Sequence, residues 1–198
     1  MCTFYCLLFI SVQWKEDAVN RYMERANRFG VKNYLLAAIG SAFGLGLSPI
    51  APGSCGALLG ILLHVSIILL LPSDIQLPAL IVVFTLVCIG NNLLTPWAEE
   101  YWQEKDPKNF VLDEVAGYLF VPIFFRYGEL WQVVLWGYVL FRVFDIIKIP
   151  PARQIDRNMH NAWGILLDDL VSALYAVLVM YLLWWIGPRI GAGNWLIS

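Results

Sequence analysis

The sequence predicts an all-α fold, a polytopic membrane helical bundle of about five spans, and three observations support this prediction. Hydrophobic residues make up 60% of the 198-residue chain, whereas charged residues make up only 14%. Several apolar runs approach the roughly 20 residues that a helix needs to cross a bilayer. Two pairs of these runs are joined by very short connections, which are typical of antiparallel helix hairpins. We therefore expect a membrane domain built from packed helices.

Residues 1–32 are predicted to form an apolar anchor followed by a basic amphipathic segment. Residues 2–12 are apolar, but no basic region precedes them and no small-residue cleavage site follows, so a cleaved signal peptide is not expected. Residues 15–32 carry five Lys and Arg residues among apolar residues at close to helical spacing. Such a helix lies on an anionic membrane surface or caps the bundle in solvent, and the sequence leaves both options open.

The membrane domain, predicted at residues 33–188, begins with a segment that is neither a plain span nor a plain loop. Residues 34–56 contain six residues expected to break any helix, namely Gly44, Gly46, Pro49, Pro52, Gly53 and Gly56. We interpret the segment as re-entrant or interfacial, because irregular backbone at membrane depth must be buried in protein or line a wet cavity. Its free N–H groups, with Ser48, Gly53 and Ser54, are candidates for binding a phosphate.

Five spans are predicted to follow, at residues 53–71, 77–94, 111–127, 130–147 and 164–187, with a tail at residues 189–198. The connections 72–76 and Gly128-Glu129 are short turns, whereas 95–110 and 148–163 are longer and polar. Eleven of the 13 Lys and Arg residues fall on one side of this arrangement, and only Arg126 and Arg189 fall on the other. The positive-inside rule then places the N-terminus in the cytoplasm and the C-terminus outside.

Five carboxylates lie at the ends of the predicted spans, namely Asp113, Glu114, Asp145, Asp168 and Asp169. A charged, unpaired carboxylate within a membrane span costs about 2.5–3.5 kcal/mol, so these groups need a shared cation or basic partners. The predicted topology brings all five to the same leaflet. With no cysteine nearby they form an all-oxygen ligand set, which suits Mg²⁺, an ion that proteins often bind together with substrate phosphates.

Basic residues accompany the acidic ones. Arg142, Asp145 and Lys148 are spaced by three residues on one helical face, so two phosphate contacts would lie beside a metal ligand. The next connection adds the donors Arg153, Arg157 and His160. Each basic residue alone is also explained as a positive-inside anchor or as a charge partner for an aspartate, but anchoring does not explain the acids.

Three other classes of protein are alternatives for a chain with a Mg²⁺ site and a phosphate-bearing substrate. The motifs of a CDP-alcohol phosphotransferase and of a metal-independent lipid phosphatase are missing from the sequence. An ion-coupled transporter, with the acidic cluster as a cation or proton site, is the alternative from a different class. Transporters place such groups near the bilayer midplane and often contain repeated halves, whereas these acids are predicted at one interface and no repeat is evident.

Four strings resemble the phosphatidylglycerophosphatase A family in the same order: GLGLSPIAPGSCG at 44–56, VLDEVAG at 111–117, FRVFDIIK at 141–148 and DRNMHNAWGILLDD at 156–169. The resemblance extends over about residues 34–180. It implies a Mg²⁺-dependent phosphatase of the bacterial plasma membrane that converts phosphatidylglycerophosphate to phosphatidylglycerol and phosphate on the cytoplasmic side. Membrane lipid is then the expected partner, nucleic acid is not, and the oligomeric state stays open.

Matched by position, the polar motif residues of that family are Asp113, Glu114, Arg142, Asp145, Lys148, Asp168 and Asp169. The resemblance implies that the five acids bind metal and catalyse, while Arg142, Lys148 and Arg157 bind phosphate. His160 either protonates the leaving alkoxide or is a structural hydrogen-bond partner, and direct hydrolysis and an aspartyl-phosphate route both stay open. Departures at Ile149, Asn161-Ala162 and Ser172-Ala173 affect the 148–163 loop and helix packing, and none removes a charged group.

Overall fold

The computed structural model describes residues 31–159 and 161–190, which form seven α-helices and no strand. The helices are α1 (Val31–Gly40), α2 (Pro52–Leu70), α3 (Ser73–Trp102), α4 (Leu112–Phe124), α5 (Leu130–Ile147), α6 (Ala152–Asn158) and α7 (Ala162–Ile186), with 3₁₀ turns at Leu45–Leu47 and Gly187–Ile190. The predicted all-α class is therefore confirmed for this part of the chain. The N-terminal anchor, nearly all of the amphipathic segment, His160 and residues 191–198 lie outside the described residues.

Four of the described helical stretches are long and apolar enough to cross a membrane, namely Pro52–Leu70, Ser73–Trp102, Leu130–Ile147 and Ala162–Arg189. Large apolar side chains cover their outer faces. Leu62 on α2 and Leu86 on α3 are each 62% exposed, and Leu178 on α7 is 55% exposed. In water so much exposed apolar surface would be unfavourable, so this exterior suits contact with lipid.

The predicted span 111–127 differs from the other four. It contains the 13-residue helix α4, whose length of about 20 Å is well below the roughly 30 Å of a bilayer hydrocarbon core. Nine of its 13 residues are buried, because α2, α3 and α7 all pack around it. Its sequence is apolar because it faces protein over most of its surface. Hydropathy does not distinguish burial in protein from burial in lipid, so the count of five membrane-length helices is not confirmed.

Two predicted connections contain helix. Residues 95–102 continue α3 to Trp102, although Pro96 lies inside this helix. The extension is stabilised by the stacked rings of Trp97 and Tyr101, with centroids 4.8 Å apart, and by a 3.0 Å hydrogen bond from the Trp97 indole to Asn33 on α1. Residues 152–158 of the other connection form α6. Both connections, predicted only as longer and polar, are therefore partly helical, because tertiary packing supports these polar helical turns.

The glycine- and proline-rich segment is broken over fewer residues than predicted. Helix α1 continues to Gly40, and the backbone then reverses through positive φ angles at three successive residues, Ala42, Phe43 and Gly44. Helix α2 begins at Pro52, where a first-turn proline is compatible with a helix because its missing N–H needs no partner. Gly53 and Gly56 therefore lie inside a helix and do not break it, and the irregular backbone is confined to residues 41–51.

Consecutive long helices alternate in direction, so five helix ends meet at one end of the bundle. A short turn joins α2 to α3 as predicted, but it occupies residues 71–72, because Pro72 caps α3 and residues 73–76 are already helical. The predicted turn at 128–129 is confirmed in position, since Gly128 has φ 86° and Glu129 forms a capping box at the start of α5. The N-terminal ends of α2, α4 and α7 thereby join the C-terminal ends of α3 and α5. The five predicted carboxylates lie at this end, which we call the polar end.

The core of the bundle lies between α2, α4, α5 and α7. Large buried side chains fill it, including Tyr118, Phe125, Phe141 and Met180. Within it the Nδ1 atom of His64 lies 3.0 Å from the Tyr118 hydroxyl, so both buried polar groups have a partner. This packing fixes α4 in the centre, and the first turn of α4 is consequently held at a defined place in the polar end.

Candidate active site

The polar end contains a cavity of about 340 Å³ that is lined by residues from four helices and from the α3–α4 connection. Its lining combines acidic, basic and apolar side chains. The charged members are Asp106, Lys108, Asp113, Glu114, Arg142, Asp145, Lys148, Asp168 and Asp169. Seven of these were predicted as site residues from the sequence. Groups more than 50 residues apart in the chain thus meet in one cavity.

Three of the carboxylates, Asp113, Glu114 and Asp169, form a compact triad. One oxygen from each can be chosen so that all three lie within 4.8 Å of one another. Asp113 and Glu114 belong to the first turn of α4, and Asp169 comes from the second turn of α7. Asp113 is 7% exposed and Asp169 is 4% exposed. Glu114 is half-buried, and three like charges at this separation repel one another strongly unless a cation or protons neutralise them.

The unpaired oxygens of this triad fit a bound cation. Oδ1 of Asp113, Oε2 of Glu114 and Oδ2 of Asp169 are buried and accept no hydrogen bond from the described part of the chain. Buried acceptors without a donor are costly, so native proteins rarely leave them unpaired. An all-oxygen, carboxylate-rich set is the kind that hard divalent cations such as Mg²⁺ bind. These three residues could therefore hold Mg²⁺.

Arg142 lies beside the triad and is held there by its neighbour one helical turn away. Its Nη1 atom is 2.7 Å from Oδ2 of Asp145, and the two side chains are only 14% and 12% exposed. This confirms that Arg142 and Asp145 share a face of α5, and both line the cavity, whereas Lys148 lies just beyond the helix as its C-cap. Nε of Arg142 is buried and has no acceptor among the described residues, so the guanidinium retains a donor that is free to bind an anion.

Gly53 completes the wall on the α2 side. A Cβ atom at this position would overlap Oε1 of Glu114 and come within 2.9 Å of Nη2 of Arg142. Helix α2 can therefore approach both polar groups only because residue 53 has no side chain. The interpretation of Gly53 as a site residue agrees with this position, although the backbone there is helical.

Lys148 binds carboxylates on two other helices. Its ammonium donates to Oδ2 of Asp168 at 2.6 Å and to Oδ1 of Asp156 at 2.7 Å. Burial alone would lower the pKa of Lys148, but the hydrogen bonds to these carboxylates outweigh it and hold the pKa above its ordinary value. The side chain is thus cationic at neutral pH, and it connects the end of α5 to α6 and α7.

Replacing Lys148 by Met should lower the stability of the protein. The substitution keeps the length of the side chain but leaves Asp168, which is 3% exposed, without its cation. Removing one partner of a buried pair costs about 3–5 kcal/mol, and we expect about 1–2 kcal/mol because Lys148 is 29% exposed. Thermal unfolding in detergent measures the change. Lys148→Arg should retain most of the stability, and equal melting temperatures for the wild type and Lys148→Met would contradict this role.

Three other predicted phosphate-binding residues lie away from the cavity lining. Ser48 follows the 3₁₀ turn, and Ser54 is on α2, where its carbonyl accepts a hydrogen bond from Tyr138 at 3.3 Å. Arg157 is exposed on α6. The cavity lining includes none of the three. The structure therefore brings the acids, Arg142, Lys148 and Gly53 into one cavity lining, which does not include these three residues.

Two charged lining residues, Asp106 and Lys108, were not among the predicted site residues. They belong to the α3–α4 connection, which was treated as a plain polar loop. The signal in the sequence is the polar string KDPK at 105–108, two residues before VLDEVAG. A turn holds this string in place, since the Phe110 N–H donates to the Pro107 carbonyl at 2.8 Å and the Val111 N–H donates to the Gly40 carbonyl at 2.9 Å.

The fold and the site together define a helical protein with membrane-length helices and a buried carboxylate triad in a cavity with cationic side chains. The family model described as phosphatidylglycerophosphatase A matches residues 38–184. This chain therefore belongs to the phosphatidylglycerophosphatase A family.

Curated relatives agree with this family. A phosphatidylglycerophosphatase A from Haemophilus influenzae is 36% identical over 148 residues, which cover 74% of this chain and 85% of that protein. The Escherichia coli protein of the same name is 36% identical over 146 residues, covering 74% and 80%. A putative phosphatidylinositol-3-phosphatase from Bacteroides thetaiotaomicron is 32% identical over 160 residues, covering 78% and 96%. No solved structure shows a significant match.

Proposed function

We propose that this chain is a Mg²⁺-dependent lipid phosphatase that hydrolyses phosphatidylglycerophosphate to phosphatidylglycerol and phosphate. The observation that carries the proposal is the triad of Asp113, Glu114 and Asp169, each with a buried, unpaired oxygen, in the lining of a cavity that Arg142 also lines. Membership of the phosphatidylglycerophosphatase A family supports the choice of lipid. The names of the three relatives all refer to phosphatases of phosphorylated lipids, which agrees with a phosphate-binding cavity.

Each group in the cavity has a task in this reaction. Asp113, Glu114 and Asp169 would hold Mg²⁺, which supplies positive charge for orienting and polarising the terminal phosphate. Nε of Arg142 would donate to an equatorial phosphate oxygen, while Asp145 keeps the guanidinium in place.

Hydrolysis requires one proton acceptor and one proton donor. Water attacks phosphorus, the bond to the glycerol oxygen breaks, and that oxygen takes up a proton. Asp168 lines the cavity with its Oδ1 atom buried and unpaired, while Lys148 holds its other oxygen. It is our candidate to accept the proton of the attacking water.

The membrane placement is also part of the proposal. Because the long helices alternate in direction, the chain reaches the far end of the bundle at residues 125–129, so α4 serves as a short crossing enclosed by its neighbours. Five basic residues of the connections and helix ends, namely Lys105, Lys108, Lys148, Arg153 and Arg157, lie toward the polar end, whereas Arg126 and Arg189 lie toward the other. We propose a multi-pass protein of a bacterial plasma membrane with its polar end in the cytoplasm.

Cysteine labelling tests this topology. Lys105→Cys and Arg126→Cys, each in a background without the four native cysteines, should react with a membrane-impermeant maleimide from opposite faces, because both residues are exposed and α4 lies between them. Intact cells should label residue 126, and inverted vesicles should label residue 105. If both positions label from one face, α4 does not carry the chain across.

The activity is tested by phosphate release from purified protein in mixed micelles. Phosphatidylglycerophosphate should be hydrolysed in the presence of Mg²⁺ and not after chelation, and phosphatidic acid, phosphatidylinositol 3-phosphate and a soluble phosphomonoester serve as comparison substrates. Absence of phosphate release from phosphatidylglycerophosphate with Mg²⁺ would overturn the proposal.

The transporter alternative is less well supported, because the acids lie at one end of the bundle and not midway along it. Mg²⁺-induced thermal stabilisation without hydrolysis of any of these substrates would favour it over the phosphatase.

A further inference from the structure

Three basic side chains line the cavity, and they differ in their partners. Arg142 is paired with Asp145 at 2.7 Å, and Lys148 is paired with both Asp156 and Asp168. Lys108 is exposed and forms no ion pair with any residue in the described ranges 31–159 and 161–190. Among the described lining residues, Lys108 is thus the cation whose charge no carboxylate offsets.

The backbone around Lys108 is fixed even though its side chain is exposed. Pro107 is buried, and its carbonyl accepts the Phe110 N–H at 2.8 Å. On the other side, the amide of Asn109 lies between the Gly46 carbonyl and the Trp102 indole, and with its oxygen and nitrogen exchanged it donates to the former at 3.1 Å and accepts from the latter at 3.2 Å. Lys108 therefore belongs to an anchored turn in the cavity lining, so little backbone freedom would be lost when its side chain binds an anion.

The proposed substrate has two phosphates with different chemistry. The terminal phosphomonoester reacts, whereas the phosphodiester that joins glycerol to the diacyl lipid carries a negative charge and does not react. In the proposed reaction the triad and Arg142 bind the terminal phosphate. Lys148 is paired with two carboxylates, so neither it nor Arg142 offsets the charge of the diester.

We propose that Lys108 binds the phosphodiester of the head group and so acts as a specificity-determining residue. This inference rests on the proposed function of the same site. It predicts recognition of lipids in which a polyol bearing a phosphomonoester is linked through a diester phosphate. A lipid whose only phosphate is the monoester would leave Lys108 without an anion to bind.

The diester charge does not change during hydrolysis, whereas the charge on the monoester is redistributed in the transition state. A contact to the diester therefore stabilises the bound substrate and the transition state equally, and its loss raises KM without lowering kcat. A contact to the monoester would instead lower kcat. The effects on KM and kcat therefore show whether Lys108 contacts the diester or the monoester.

The test compares Lys108→Ala with two control variants on phosphatidylglycerophosphate in mixed micelles. Lys108→Ala should raise KM by about tenfold, the scale of one charge-assisted hydrogen bond, and leave kcat within about twofold. Lys108→Arg keeps the charge and should stay near the wild type. Lys105→Ala removes an equally exposed charge from the same connection but outside the cavity lining, so it should change neither constant.

The KM difference between the wild type and Lys108→Ala should also shrink at high salt, because exposed charges are screened. An unchanged KM in Lys108→Ala, a fall in kcat, or an equal rise of KM in Lys105→Ala would each overturn the inference while the wild-type activity stands. A wild-type enzyme that releases no phosphate from this lipid would overturn the proposed function and the inference with it.

Discussion

Asp169→Asn should reduce phosphate release by at least about 100-fold while the protein stays folded. Loss of a residue that merely orients a metal ligand typically costs about 10–100-fold, and Asp169 is proposed as a ligand itself. The substitution keeps the shape of the side chain but removes one of three buried like charges. Its melting temperature without Mg²⁺ should therefore equal or exceed that of the wild type, because repulsion within the triad is reduced.

The control for this variant is Asp156→Asn. Asp156 also pairs with Lys148, but its side chain is 40% exposed and it does not line the cavity. Its loss should affect activity by only a few-fold. A second readout is the increase in melting temperature on adding Mg²⁺, which Asp169→Asn should lose and Asp156→Asn should retain. Asp169→Asn with wild-type turnover, or with the wild-type response to Mg²⁺, would remove Asp169 from the proposed metal site.

The acidic residues could be identified from the sequence because charges are unexpected at the ends of apolar runs. The same reasoning predicted that Arg142 and Asp145 share a face of α5, which the 2.7 Å ion pair confirms. Convergence of the acids followed from the alternation of helices joined by short turns. These predictions succeeded because they depend on local spacing and chain direction, both of which can be read from one sequence.

Other features depend on tertiary packing and could not be predicted. The sequence did not show that α4 is short and enclosed by protein, because an apolar run has the same composition in either environment. It also did not divide the five acids into a triad, an aspartate paired with Arg142 and an aspartate paired with Lys148. Asp106 and Lys108 were missed because a polar connection is ordinarily a solvated loop, and here backbone hydrogen bonds hold it against the cavity.

The packing of α2 places Gly53 and Gly56 in different surroundings, although the sequence analysis interpreted both as helix breakers. At Gly56 an added Cβ would lie 2.5 Å from Cβ of Val111, which is a buried apolar residue outside the cavity lining. At Gly53 the added atom would meet the polar groups of Glu114 and Arg142. Substitution of Gly56 therefore acts on stability, whereas substitution of Gly53 acts on the geometry of the site.

Gly53→Ala should lower kcat by about 100-fold with little change in melting temperature. The new methyl group would force the Glu114 carboxylate or the Arg142 guanidinium to move, and a displacement of about 1 Å at a catalytic group costs about 100-fold in rate. The higher helix propensity of alanine, worth up to about 1 kcal/mol, offsets part of the steric cost.

Gly90→Ala on α3 is the matched control, because its Cβ would lie 3.8 Å from Cδ1 of Leu112, an ordinary contact distance. It should retain wild-type kcat and equal or higher stability. If Gly53→Ala is as active as Gly90→Ala, Glu114 and Arg142 do not need the positions that α2 imposes on them, and the triad with its adjacent guanidinium is not the catalytic centre.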